Sequence, residues 1–288
     1  MSLTTLGQAV VSGLANGTFY AFLALSFAVI LALTRTLNLA HGELVVLGGY
    51  LGYAASRAWG LPPLLLAPLA ALALVPVGLV WRALLARVRE PVELNSLVLT
   101  FGLSLLLQNA LLGAWSADYR LIATPTDAPA LLGLAPARAT AALVGLTTIL
   151  ALQLVLSHTR MGAALRATSR DAETAALMGV NTDRVSAWSF AAAAAIAGAG
   201  GVFFGALHYL HPAAGVELTL LAITLAIFGN VWGGVGRLPG LLLGGLAVGL
   251  TESLTLAWAG ARWRELVVAA LLLGALLVRS RGVGRGDR

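Results

Sequence analysis

The segment from Leu156 to Ala187 reads L-S-H-T-R-M-G-A-A-L-R-A-T-S-R-D-A-E-T-A-A-L-M-G-V-N-T-D-R-V-S-A. It is a long polar interruption in an otherwise apolar chain, and its reading decides the fold. Arg160, Arg166, Arg170 and Arg184 alternate with Asp171, Glu173 and Asp183. One charge at mid-bilayer costs about 2.5–3.5 kcal/mol, and open backbone groups add to that. The segment therefore projects into water. Its excess of Arg places it on the cytoplasmic side of a membrane.

The remainder of the chain agrees. Of its 288 residues, 59% are hydrophobic and 10% are charged, where a soluble domain carries about a quarter charged residues. Mean hydropathy is +0.90. This is a polytopic membrane protein. No stretch is polar and long enough to fold as a separate soluble domain, so residues 1–280 read as one transmembrane unit. Its polar loop covers about 158–185, and 281–288 reads as a disordered cytoplasmic tail. Net charge is +6 and every basic residue is Arg. Such a balance raises nucleic acid as a partner. The arginines, however, stand at the ends of apolar runs, so they report topology. Cys is absent, which excludes disulfides and thiol ligation of metals. The first apolar run has no preceding Arg and is too long for a signal-peptide core, so it reads as a retained span.

A helix crossing about 30 Å of hydrocarbon needs about 20 apolar residues. On that criterion spans lie near 8–33, 42–58, 62–86, 95–115, 139–157, 186–210, 217–235, 238–258 and 264–279. The second and last are short, and Gly-rich spans can be broken or re-entrant. The expectation is an all-α bundle of eight or nine crossings. The runs are continuous and do not alternate, which excludes a barrel. With the 158–185 loop inside, Arg35, Arg82, Arg87, Arg89, Arg237, Arg279, Arg281, Arg285 and Arg288 also fall inside. Arg57, Arg120, Arg138, Arg262 and Arg264 fall outside. Nine spans then put the N-terminus outside and the C-terminus inside.

Small residues recur at four-residue spacing: Gly201 with Gly205, Gly240 with Gly244, Gly245 with Gly249. They let helix backbones approach closely in lipid, where apolar burial drives no association. Some could also permit rocking during transport.

Polar side chains inside the apolar runs are the candidate pathway or gate. Asn38, His41 and Glu43 cluster where one span ends and the next begins. His41 and Glu43 are two apart, so on a helix they face different ways and form no simple metal pair. The plainer reading is that Asn38 or His41 caps the following helix and Gly42 makes a bend. Glu252 lies deep in an apolar run, beside Thr251 and Ser253. A carboxylate there needs a partner or water. Asn230, with Gln108 and Asn109, is a softer example suited to interhelical hydrogen bonds.

Within the cytoplasmic loop, 171–179 fits a short helix. Ala172, Ala175, Ala176 and Gly179 fall on one small face. Leu177 and Met178 add apolar surface. Gly179 suits a helix stop, and Asn181-Thr182-Asp183 a turn or a new cap. Such a helix either lies on the membrane or docks a soluble partner. Catalytic patterns are missing: the chain has no Gly-x-x-x-x-Gly-Lys, His-Glu-x-x-His or Gly-x-Ser-x-Gly. No cofactor or metal is expected. Energy for any active transport comes from an ion gradient or from another subunit.

Four segments in this order resemble one family: N-G-T-F-Y-A-F-L-A-L (16–25), N-L-A-H-G-E (38–43), R-A-T-S-R-D-A-E-T-A-A-L-M-G-V-N (166–181) and G-N-V-W-G-G-V-G-R-L-P-G (229–240). The chain is similar to the permease subunits of branched-chain amino-acid ABC importers. The loop also resembles the E-A-A-x-x-x-G coupling motif of importer permeases, with Glu173, Ala175 and Gly179 in place and Thr174 at the second position. The resemblance implies a coupling surface that includes Arg166, Arg170, Asp171, Glu173, Ala175, Ala176, Gly179 and Asn181. It also adds Asn16 to Asn38, His41, Glu43, Asn230 and Glu252 along the path. The implied partners are two cytoplasmic ABC ATPase subunits, a second related permease or second copy of the chain, and an extracytoplasmic solute-binding protein. The implied setting is a bacterial inner membrane. Members of such families also carry urea, short amides and other small solutes. An ion-coupled secondary transporter, resting on Glu252 and Glu43 as ion sites, and a passive membrane subunit are the rival readings.

Overall fold

The computed structural model describes residues 3–124, 134–233 and 238–260, with eight further positions between 262 and 274. Among them the chain forms α1 (Leu3–Thr34), α2 (His41–Trp59), α3 (Pro63–Leu85), α4 (Val92–Trp115) and α5 (Pro136–His158). After these come α6 (Arg160–Arg170), α7 (Ala172–Leu177), α8 (Thr182–Leu207), α9 (Ala214–Gly233) and α10 (Leu238–Trp258). The expected span at 264–279 falls mostly outside the described residues, and its described positions are helical. The tail at 281–288 lies wholly outside them.

Local chemistry sets the boundaries. Pro63 and Pro136 open α3 and α5 at positions where a missing N–H costs nothing. Gly60 closes α2 in the left-handed region at φ 65°. The polar loop is a run of capped helices. Thr159 Oγ1 accepts from the Gly162 amide at 3.0 Å. Asp171 Oδ1 accepts from the Glu173 and Thr174 amides at 3.0 Å each. Asn181 Oδ1 accepts from Arg184 at 2.9 Å. Each cap satisfies amides that the first turn leaves open.

Among the described residues six helices (α1, α3, α4, α5, α8 and α10) are long and apolar enough to cross a membrane. The expected eight or nine crossings therefore resolve into six clear ones, with α2 and α9 as the other two predicted spans. α9 is apolar over Ala214–Ile227, and α2 differs for a physical reason. α2 carries His41, Glu43 and Arg57 and is buried over most of its first half, so the protein, not lipid, solvates it.

The packing is that of a membrane bundle. α4 exposes Leu94, Val98, Phe101, Leu105 and Leu106, while its buried face is Ser96, Thr100, Ser104 and Leu111. In water this pattern would be inside out; in lipid it is the expected arrangement. Glycines close the main seams. α1 meets α10 with Gly13 and Gly17 against Gly245 and Gly249. α8 meets α2 so closely that a Cβ on Gly48 would lie 2.5 Å from the Gly198 Cα. Phe19, Phe22, Phe27, Tyr50, Phe190 and Phe203 fill the interior between these seams.

Candidate functional site

α2 does not begin at the end of the bundle. Its first residue, His41, places Nε2 3.0 Å from the Ser26 hydroxyl of α1, which is eight residues, or about 12 Å, inward from Thr34 at the helical rise. The connection from Arg35 turns back into the protein, with Thr36, Asn38 and Ala40 buried. α9 also begins inside. After α8 ends at Leu207, the Leu210 side chain lies over Gly49 and Gly205. The chain then descends until Gly215 rests on Gly42, backbone against backbone. The N-termini of α2 and α9 thus meet within the bundle.

Gly42 is consequently a close-approach residue inside α2 and not the bend expected from sequence. A Cβ there would strike the Gly215 carbonyl. The expected side-chain cap of α2 is also absent: its N-cap is Ala40, and Asn38 Oδ1 accepts from the Ala40 amide at 3.1 Å. α9 supplies the missing acceptor. Thr219 Oγ1 accepts from the Gly42 amide at 2.8 Å and lies 2.9 Å from the Gly215 carbonyl. From α4, Thr100 Oγ1 accepts from the Leu39 amide at 3.2 Å.

His41 and Glu43 leave α2 on different sides, as their spacing predicts. The His41 ring stands edge-on to Phe27 at 5.3 Å. Glu43 Oε1 accepts from the Ser104 hydroxyl at 3.2 Å, and its carboxyl group lies on the bare Gly215 backbone. Glu43 is 0% exposed and His41 1%. Three buried polar atoms here lack a hydrogen-bond partner: Asn38 Nδ2, His41 Nδ1 and Glu43 Oε2. Such atoms are unusual, because each carries its desolvation cost uncompensated.

The other candidates lie elsewhere. Glu252 Oε1 accepts from Tyr20 Oη at 3.1 Å, which gives the buried carboxylate a named partner on α1. Tyr20 is six residues, about 9 Å, along α1 from Ser26, so Glu252 forms a second polar point separate from the junction. Asn16 is half-buried one turn beyond Tyr20. Asn230 is in α9, and its side chain lies outside the described residues. Asn109 bonds back to the Leu105 carbonyl of its own helix at 2.7 Å. Among the described residues no three His, Asp or Glu side chains gather to hold a metal.

The short helix expected at 171–179 is α7, and a second helix that the sequence did not announce, α6, precedes it. The break falls at Asp171, whose side chain competes for the backbone and so ends one helix while capping the next. Thr174 donates to Asp171 and, with the neighbouring amides, holds its carboxyl below the usual carboxylate range. Of the small face, Ala175 is buried; Ala172, Ala176 and Gly179 are exposed. Leu177 and Met178 are 84% and 81% exposed, an apolar tip open to a partner. Gly179 ends the loop helix at φ +86°, as a helix stop requires. Arg166 is half-buried, while Arg170, Glu173 and Asn181 are exposed.

Sequence reasoning missed the residue that ties this loop to the bundle. Arg35 donates through Nη2 to the Ser169 carbonyl at 3.1 Å and the Arg170 carbonyl at 2.5 Å, capping the C-terminal end of α6. It also adopts φ 54° at the end of α1, where Gly is the usual residue. Ser26, Thr100, Ser104, Thr219 and Tyr20 were missed too, since lone hydroxyls in apolar runs carry no spacing signal.

Long apolar helices, polar groups gathered inside and a capped polar loop projecting from one end define a multi-pass membrane transport protein. The chain belongs to the family described as branched-chain amino acid transport system / permease component, whose profile matches residues 9–276. It is 29% identical to the high-affinity branched-chain amino acid transport system permease protein LivH of Escherichia coli K12, over 96% of this chain and 94% of that protein. It is 28% identical over the same shares to BraD of Pseudomonas aeruginosa. It is also 29% identical, over 65% of this chain and 53% of that protein, to the autoinducer 2 import system permease protein LsrC of Yersinia pseudotuberculosis. No solved structure matches.

Proposed function

We propose that this chain is the transmembrane permease subunit of an ATP-binding-cassette importer that carries leucine, isoleucine and valine across a bacterial inner membrane. The observation that supports it best is the family match along residues 9–276, backed by relatives named for that transport along their whole length. Two cytoplasmic ATPase subunits would power it, a solute-binding protein would load it from outside, and a second related permease or a second copy would complete the path. Residues 1–280 act as one unit without a nucleotide site or cofactor of their own.

The loop at 158–185 receives the force. Leu177 and Met178 offer apolar contact, flanked by Glu173, Ala175, Ala176, Gly179 and Asn181, with Arg166, Arg170 and Asp171 holding its shape. Closure of the ATPase pair displaces α6 and α7, and the spans joined to them, α5 and α8, tilt in response. ATP thereby shifts the population between outward-facing and inward-facing states through its differential binding to them. Asn16, Asn38, His41, Glu43, Asn230 and Glu252 belong to the pathway or its gate. The likeness to an autoinducer 2 permease keeps a second reading in view, in which the same machine carries another small solute.

The test is co-purification of tagged protein in mild detergent, with mass spectrometry of its companions, then uptake by the reconstituted complex. Two P-loop ATPases and ATP-dependent uptake of labelled leucine are expected. A chain that purifies alone, where a control importer stays intact, removes the proposal.

A further inference from the structure

Two helices that begin inside a membrane bundle, N-terminus to N-terminus, make an unusual electrostatic environment. Each helix start carries roughly half a positive elementary charge on its open amides. At this junction one carboxylate, Glu43, is already in place. It is fully buried and rests on the Gly215 backbone. One of its oxygens takes the Ser104 hydroxyl while Oε2 has no partner. Asn38 Nδ2, a donor, is also buried without an acceptor. An unfilled acceptor and an unfilled donor at one junction are complementary to a solute that bears a cationic donor and an anionic acceptor.

A second acid shows which side of the junction is open. Glu217 lies in the first turn of α9, between Gly215, which touches Gly42, and Thr219, which holds the Gly42 amide. It is exposed, with Val216 and Leu220 beside it. A carboxylate on the outer face of a bundle at this depth cannot face lipid without a large penalty, so it faces a water-filled path or a partner. Gly42 and Gly215 meet backbone on backbone, and the hydrogen bond that crosses the junction, Gly42 amide to Thr219 hydroxyl, is one that water or solute can replace.

Resting on the amino-acid importer reading above, we propose that the α2–α9 junction is the solute's station within the membrane. There the Glu43 carboxylate receives the α-ammonium group, the helix starts and Asn38 receive the α-carboxylate, and Glu217 marks the side from which the solute comes. The station reads the zwitterionic head group and leaves the side chain unread. A zwitterion adds no net charge to the interior; a solute with only one of the two groups leaves a buried charge uncompensated.

The experiment uses the whole complex in proteoliposomes, with leucine-loaded binding protein in excess. Glu43→Gln keeps the acceptor for Ser104 and loses the charge. It is expected to lower leucine uptake per ATP at least tenfold. Glu43→Asp restores the charge and is expected to recover most of the uptake. Equal uptake by Glu43→Gln and wild type, or a Glu43→Asp variant as inactive as Glu43→Gln, overturns the station. A wild-type complex that hydrolyses ATP but moves only solutes without an ammonium group overturns the importer reading as well. The chain has no Cys, so Glu217→Cys provides an assay that does not depend on the Glu43 variants assembling. A membrane-impermeant cationic thiosulfonate should label it in the assembled complex, and leucine should protect it. Absence of labelling, or labelling that leucine does not slow, overturns the assignment.

Discussion

Replacing Arg35 separates the loop's stability from its coupling to the bundle. The guanidinium donates to two carbonyls at the end of α6 in an exposed setting, where such bonds contribute about 0.5–1 kcal/mol each. The side chain therefore holds α6 by about 1–2 kcal/mol. Against this stands the backbone, because φ 54° costs a residue with a Cβ about 1 kcal/mol that glycine avoids. Arg35→Ala loses the tether and keeps the strain, so α6 docking should weaken by about 1–2 kcal/mol. Arg35→Gly loses the tether and relieves the strain, so the two nearly cancel. Amide exchange over 160–170 measures the difference: protection should fall roughly tenfold in the alanine variant and by less than threefold in the glycine variant. Coupling should not follow that order. Both variants lack the strap between the loop and the segment leading to His41, so both should hydrolyse ATP with a reduced leucine yield per ATP. If Arg35→Gly transports as well as wild type while Arg35→Ala does not, the effect lies in the backbone, and the strap argument is wrong.

Other substitutions probe the remaining contacts. Gly179→Ala meets no neighbour, but its φ of +86° strains the turn by about 1 kcal/mol, so faster proteolysis at 177–181 and weaker coupling are expected; unchanged cleavage would contradict the turn's role. Tyr20→Phe removes a hydroxyl from the buried Glu252 carboxylate, and melting of the purified protein should show a loss of about 1–3 kcal/mol, while an unshifted transition would mean the contact is dispensable. The Asp171 carboxyl is held below its ordinary value of 3.8, chiefly by Thr174. A depressed folded value means the cap is fully present above the ordinary value and is lost as pH falls through the lower folded one. Exchange protection of the α7 amides should therefore persist from neutral pH to about 4 and fall below it; a loss between pH 5 and 7 contradicts the assignment.

What the sequence disclosed follows from how the information is carried. Length and apolarity are additive along a run, so the spans near 62–86, 95–115, 139–157 and 238–258 agree closely with α3, α4, α5 and α10. Caps are local, so the helix stop at Gly179 and the cap at Asn181 could be read from a few neighbours. The junction was not legible. N-L-A-H-G-E announces polar residues at the start of α2, yet nothing in it says that α9 starts at the same place. The pairing of Gly42 with Gly215 joins positions far apart in the chain, and only the fold brings them together. Glu217 passed unnoticed for the same reason: at the edge of an apolar run it looks like an interfacial residue until α9 is seen to begin inside. Arg35 resembles any basic residue after a span, and its role lies in a backbone conformation that composition does not encode.

The two polar regions are joined by a short path. Asp171 ends α6, Arg35 holds the last carbonyls of α6, and six residues after Arg35 stands His41, at the first turn of α2. In the segment between, Thr36, Asn38 and Ala40 are buried, and the chain is bonded as it passes: Asn38 to Ala40, Leu39 to Thr100, Gly42 to Thr219. It is anchored at both ends and has little freedom to absorb a displacement of the loop. The seams around it differ in character. α1 with α10, α2 with α8 and α2 with α9 all meet through close glycines, but the start of α2 is also held by hydroxyls, those of Thr100 on α4 and Thr219 on α9. Hydroxyl bonds can be exchanged for water or solute at little net cost. A push on α6 therefore reaches the junction of α2 with α9, where an exchangeable hydroxyl bond crosses the seam, and opening that contact exposes Glu43 Oε2 to a solute on the Glu217 side.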